Sequence, residues 1–356
     1  MNLVLPLGGR GSRMQPHSLH RPKALFRLAG DEVLGHVLDS LAGLPIERVT
    51  VIHGPDGAAI EDWFRARSDW PARFILQPEP LGQAAALALA GDQLVGETLV
   101  VFADTLFEID PAALSAVPAA ADGILHVKPV ADASAFGVVT LRRDGSVARL
   151  VEKPRVKVSS LAVMGLYWLR DGERLLRAAQ QVAAEGPCPR GETFIAEVLQ
   201  RMIDEGSRLL TRPVDAWHDC GNPTDTLSAH RYLLQQRLTA DRAATSLEAL
   251  RARYPSARFL PPVHVDPGAR IHDSLIGPHA WIEADCRVEH SLIGPQVTLG
   301  AGSRVLDASL RDVITGPEVK VTACQIHDSL IGAGSQVAGY SGSLNLGDAS
   351  RIGPEA

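Results

Sequence analysis

The chain has 356 residues, 46% of them hydrophobic and 21% charged, with a formal net charge of −6. That length accommodates two domains with separate cores. The acidic balance argues against a generic nucleic-acid or membrane-surface binder, which would carry a basic excess, so any anion site must be local. No apolar run approaches membrane-spanning length, and the first residues lack a charged leader and cleavage site, so a cytoplasmic protein is expected. Cys188, Cys220, Cys286 and Cys324 are far apart with no C-x-x-C pair, which predicts reduced thiols rather than a disulfide framework or zinc site.

In chain order, "NLVLPL" (2–7), "RVTVIH" (48–53), "RFILQ" (73–77), "TLVVFAD" (98–104) and "GILHVKPV" (123–130) are short apolar runs suited to buried strands. Between them, residues 33–44 place Leu34, Val37, Leu38 and Leu41 on one helical face. Residues 59–67 and 82–94 also predict helices, and further helices are expected at 172–185, 194–205 and 223–237. Alternation of this kind implies an α/β domain with a mixed, mostly parallel, Rossmann-like sheet. Residues 137–153 predict a hairpin turning at Asp144-Gly145.

The pattern changes near residue 262. "HDSLIG" at 272–277 returns as "EHSLIG" at 289–294 and again as "HDSLIG" at 327–332, with a weaker copy, "DASLRD", at 307–312. Aliphatics recur every six residues: Ile276, Ile282, Val288, then Ile293, Leu299, Val305, then Ile331, Val337. Neither a helix nor an ordinary strand has that period. A solenoid whose coil has three flat faces does, and stacking the coils buries an aliphatic ladder. The segment resembles the hexapeptide-repeat left-handed parallel β-helix. The expected division is a catalytic domain over 1–238, a helical linker over 239–261 and a β-helix over 262–356.

The most distinctive short stretch is "LGGRGSRMQPHSLHRPKAL" (7–25). It lacks the Lys-Ser/Thr pair of a P-loop, and Met14 stands where a dinucleotide fingerprint needs its third glycine. Its glycines still expose backbone N–H donors that favour anions. The stretch resembles the signature of the sugar-1-phosphate nucleotidyltransferases, glucose-1-phosphate thymidylyltransferases among them, through Gly8, Gly9, Gly11, Ser12, Arg13, Pro16, Pro22 and Lys23. That resemblance implies a nucleotide-diphospho-sugar transferase fold. It also implies a reaction in which a sugar 1-phosphate oxygen attacks the α-phosphorus of a nucleoside triphosphate and pyrophosphate leaves. Such chemistry asks for positioning and charge neutralisation. By resemblance, Arg13 and Lys23 are catalytic, while Leu7, Gly8, Gly9, Gly11 and Ser12 wrap the nucleotide.

Later segments match the same family in order. "QPEPLGQAAAL" (77–87) resembles the base-reading segment, with Gln77 presenting an amide and Gly82 letting the ring approach backbone. Asp104, at the carboxyl end of a buried strand, and Asp219 in "WHDCGNP" are implied ligands for Mg²⁺. Gly137, Glu152, Lys153 and Gly165 are implied contacts to the sugar phosphate. The family pattern has Gly-Asp where Ala103-Asp104 stand, and often Thr-Asp where Ala196-Glu197 stand.

His17 and His20 read as solvated loop imidazoles or phosphate contacts. His272 and His327 read as occupying one repeat position with a role in the coil. The expected substrates are a sugar 1-phosphate with dTTP or UTP, without nucleic-acid or membrane partners, in a homo-oligomer built through the β-helix. Two alternatives stay open: a bifunctional nucleotidyl- and acyltransferase using a β-helix histidine such as His264 or His290, and a non-catalytic regulatory subunit on the same fold.

Overall fold

The computed structural model describes residues 1–110, 117–186, 191–239 and 243–354. The chain divides into two compact units, one of residues 1–10 and 34–217, the other of residues 11–33 and 218–356. Cys188 lies outside the described residues; Cys220, Cys286 and Cys324 are buried and unbridged. Among the described residues no helix is long and apolar enough to cross a membrane.

The first unit is built on a nine-stranded mixed sheet. Its strands are β1 (Asn2–Leu7), β2 (Arg48–His53), β3 (Ala72–Leu76), β4 (Thr98–Val101), β5 (Gly123–Pro129), β6 (Gly137–Leu141), β7 (Val147–Glu152), β8 (Leu161–Leu169) and β9 (Leu209–Pro213). The order β7-β6-β8-β4-β1-β2-β3 forms the main path, with β5 beside β8 and β9 beside β5. Strands β4, β1, β2 and β3 run parallel, as helical crossovers require. Strand β8 runs antiparallel to β4, β5 and β6, and β6–β7 is the expected hairpin. The hairpin's turn is held by Asp144 Oδ1, which accepts from Ser146 N at 3.0 Å and Ser146 Oγ at 2.7 Å.

Leu3, Val4 and Leu5 are successive residues with no exposure at all, so both faces of the sheet are covered. One face packs on helices α1 (Gln83–Leu89), α2 (Gly172–Glu185) and α3 (Ile195–Asp204), through Leu87, Leu175, Val198 and Leu199. Asp171 caps α2 by accepting from Arg174 N at 2.8 Å. Glu197, standing where the family pattern has Asp, accepts from Phe194 N at 2.8 Å and so ties down the first turn of α3.

In the second unit, residues 258–352 form a parallel β-helix of the expected left-handed kind, every strand pairing being parallel. One face stacks Val263, Ala280, Val297, Val313 and Ser329 in register. Consecutive partners on that face are 17, 17, 16 and 16 residues apart. Ile276, Ile282 and Val288 belong to the three different faces of one coil, and all three are fully buried. Helix α5 (Leu247–Arg253), in the expected linker, places Leu250 in the β-helix core. Helix α4 (Pro223–Arg237) precedes it, capped by Asn222 with Pro223 in its first turn.

The register corrects one expectation. His272 pairs with Glu289 and, one coil on, Leu306, whereas His327 pairs with Arg311 on another face. The second "HDSLIG" copy has moved to the neighbouring face, so the two histidines do not share a position. The hexad specifies a flat strand and the glycine corner after it, and each of the three faces can host one.

Candidate active site

In the first unit, β1 delivers Leu7 to its carboxyl end and the chain turns at Gly8 and Gly9. A side chain on Gly8 would overlap the Gln77 amide, while nothing lies within 4 Å of a Cβ on Gly9. Gln77 is 4% exposed, and its Nε2 donates to Gly82 O at 3.0 Å. Its amide therefore sits between Gly8 and Gly82, binding two glycine turns together.

Gly82 has φ +102° and ψ −175°, a region open essentially to glycine alone. A Cβ there would collide with the backbone of Thr193. Thr193 N donates to Leu81 O at 2.8 Å, Gln83 N donates to Thr193 O at 2.7 Å, and Thr193 Oγ1 donates to Leu81 O at 2.9 Å. Sequence reasoning missed Thr193. Its signal was a Thr immediately before an apolar helix, a residue type that bonds nearby backbone on both sides.

A second group gathers around the hairpin. Glu152 faces Gly137 in register, and a Cβ on Gly137 would approach Glu152 Oε2 and Val163 Cγ2 to 2.9 Å. Lys153 Nζ lies 3.7 Å from Glu152 Oε1 and 5.2 Å above the Phe194 ring. Lys153 has φ +44° although proline follows it, a conformation disfavoured both for a β-carbon-bearing residue and before proline. Such strain persists where surroundings impose it, commonly at ligand sites. Gly165 sits at a register shift in β8 with φ +69°, its Cβ side 3.1 Å from Phe102, and its carbonyl accepts from Phe102 N at 2.9 Å.

Asp104 follows β4, with Ala103 buried beside it, and its Oδ1 accepts from Thr105 Oγ1 at 3.2 Å. The buried Tyr167 hydroxyl is held neutral far above its ordinary range, first by burial and then by the charges of Glu152 and Asp104. The carboxylates expected to meet the sugar and the metal, Glu152 and Asp104, thus both bear on one phenol.

In the second unit, Gly11 turns with φ +60°, its Cβ side 3.2 Å from Lys23 Cβ and 3.3 Å from Ser18 Cβ. Ser18 Oγ donates to Gly11 O at 2.8 Å, closing the loop around Ser12 and Arg13. Asp219 and Arg13 both flank Gly221: a Cβ there would lie 2.7 Å from Asp219 Oδ1 and 2.9 Å from Arg13 Nη2. Glycine at 221 therefore leaves room for a cation and a carboxylate side by side. His17, expected to be solvent-facing or on phosphate, is instead 6% exposed and bonded through Nε2 to Asn345 Oδ1 at 2.6 Å.

A nucleotidyl transferase family model matches residues 2–236. The chain belongs to the nucleotidyl transferase family. A glucose-1-phosphate thymidylyltransferase of Streptomyces antibioticus is 30% identical over 299 residues, covering 78% of this chain and 81% of that relative. A bifunctional protein GlmU of Methanococcus maripaludis is 27% identical over 239 residues, covering 66% of the chain and 55% of the relative. The chain thus spans about half the length of the GlmU proteins it matches. Among solved structures, a UDP-glucose pyrophosphorylase complexed with UDP-glucose aligns at TM-score 0.60 and 19% identity, over 66% of this chain and 99% of that one. That likeness establishes the shared fold. Within this family, the two residue groups of the first unit and the Arg13–Asp219 pair of the second are candidate substrate and metal contacts.

Proposed function

We propose that the chain joins a nucleoside triphosphate, dTTP or UTP, to a sugar 1-phosphate, releasing pyrophosphate. The observation that carries this reading is Lys153, a cation held in a strained left-handed conformation beside Glu152 and Gly137 at a hairpin end. The likeness to a glucose-1-phosphate thymidylyltransferase over 78% of the chain supports the same substrates.

In this reaction, the backbone donors of Gly8, Gly9 and Gly11 bind the triphosphate. Arg13 and Lys23 offset the charge that builds on the α-phosphate and the departing pyrophosphate. Lys153 binds the phosphate of the sugar 1-phosphate and orients the attacking oxygen, while Glu152 accepts from sugar hydroxyls. Gln77 holds Gly8 and Gly82 in place for the base. The hard carboxylate oxygens of Asp104 and Asp219 suit Mg²⁺, and these two residues would hold it. Bound there, the ion would neutralise phosphate charge. We further propose a homo-oligomer formed through the β-helix.

Pyrophosphate release from purified protein, across a panel of triphosphates and sugar 1-phosphates, tests this directly. Mg²⁺-dependent release with a pyrimidine triphosphate is expected; no release with any pair would refute the proposal.

A further inference from the structure

The charged residues assigned above to the second unit lie on two segments, and the β-helix grips both of them. Segment 11–33 carries Arg13 and Lys23. Its Pro16 rests on Gly347, where a Cβ would come within 2.9 Å of the proline ring. Next along the chain, buried His17 bonds Asn345 at 2.6 Å. Burial holds that imidazole below its ordinary pKa, against the Asn345 bond and the charge of Asp348. Arg27 Nε donates to Glu283 Oε1 at 2.7 Å, while its Nη2 donates to Gly30 O at 3.0 Å. Glu283, 8% exposed, is fixed in turn by Ala301 N at 3.1 Å. Gly30 packs so closely on Trp281 that any side chain there would overlap the indole. His264 is stacked on the same indole at 4.1 Å, and the Arg237 guanidinium lies 4.9 Å above it.

The second segment is Asp219 with helix α4. His230, fully buried, bonds Thr298 at 2.8 Å, and Arg231 Nε donates to Asp312 at 2.7 Å. Thr226 Oγ1 donates to the Met14 sulfur at 3.4 Å, linking the helix to the loop one residue beyond Arg13. These contacts draw on Trp281, Glu283, Thr298, Asp312, Asn345 and Gly347, which come from four coils within a run of five. In both ion pairs the arginine is partly exposed while the carboxylate is buried, so removing the carboxylate frees the arginine and loosens the segment that it holds against the coils.

We propose that the β-helix is a positioning platform for the triphosphate site, with Glu283 and Asn345 as positioning residues acting through Arg27 and His17 on Arg13 and Lys23. This rests on the nucleotide role proposed for those two cations. Glu283 and Asn345 are more than 250 residues from the signature loop in sequence, so they would escape any search confined to the catalytic motif. Because Trp281 packs on the same loop, its emission also reports the loop's state.

The test uses full-length protein carrying Glu283→Ala or Asn345→Leu, with Trp281→Phe as the fluorescence reference. Three quantities are read: amide hydrogen exchange over residues 11–33 without ligand, KM for each substrate with kcat, and the emission change on adding Mg²⁺ and triphosphate alone. Expected are at least tenfold faster exchange in 11–33 with the remaining β-helix protected as in wild type. KM for the triphosphate should rise about tenfold, with KM for the sugar 1-phosphate within twofold. The emission change should be present in wild type and lost in Trp281→Phe. Unchanged exchange overturns the platform, and faster exchange with unchanged triphosphate KM overturns its role in positioning. Equal rises in both KM values, or loss of β-helix protection, mean a general structural role and also refute it. If wild type turns over no substrate pair, the proposed activity falls while exchange still decides whether the grip exists.

Discussion

Replacing Gly82 by alanine separates two reasons for a glycine in the segment proposed to read the base. One is room for a nucleobase ring; the other is room for the protein's own backbone. The Cβ side of Gly82 is occupied by Thr193 N and O, and φ is +102°. A β-carbon in that region costs about 1–3 kcal/mol by itself. Relieving the collision displaces Thr193, which weakens the bonds to Leu81 O and from Gln83 N, 2.8 and 2.7 Å long, at about 1 kcal/mol each. The sum is about 3–5 kcal/mol, a large fraction of the roughly 5–15 kcal/mol that holds a domain together. Urea unfolding of the ligand-free protein should show this loss, with Thr193→Ala causing a smaller one. If Gly82→Ala leaves the ligand-free protein within 1 kcal/mol of wild type and raises only the triphosphate KM, a ligand ring and not the Thr193 backbone needs the space, which refutes the packing role of Gly82.

Asp104→Asn and Asp219→Asn should each reduce Mg²⁺-dependent pyrophosphate release at least a hundredfold with unfolding midpoints little changed; activity surviving either change removes that residue from the proposed metal site. Lys153→Ala should raise KM for the sugar 1-phosphate at least tenfold and leave triphosphate binding, measured by calorimetry, within threefold. His126 is 2% exposed, and burial holds its pKa down to about 4, the bond to Leu166 O at 3.2 Å opposing. Its folded value lies below the unfolded one, so the neutral form stabilises the fold at neutral pH and stability falls as pH drops from 6.5 towards 4. The loss is about 1.4 kcal/mol per pH unit across that window. Urea midpoints of wild type and His126→Phe between pH 7 and 4.5 check this, since the variant should lose that part of the slope.

The sequence determined much of this by local chemistry. Strands at 2–7 and 48–53 and helices at 172–185 and 223–237 carry patterns that only one kind of element satisfies, and they form at those bounds. The six-residue aliphatic period specified a β-helix because no other regular structure buries every sixth side chain on successive flat faces. The ordered recurrence of the loop, Asp104, Glu152-Lys153 and Asp219 marked the family. Tertiary structure alone decided which face hosts each repeat: three coils carry Leu275 to Gln325, 50 residues on, whereas the copies at 272 and 327 start 55 residues apart, so the later copy falls on the next face. It decided that Gln77 ties two turns together, that Thr193 occupies the space beside Gly82, and that His17 is buried against Asn345. Each of these is a meeting of residues from 5 to 328 positions apart. Local propensity carries no record of such a meeting, because the energy that fixes it comes from burial and paired donors that exist only once the chain has folded.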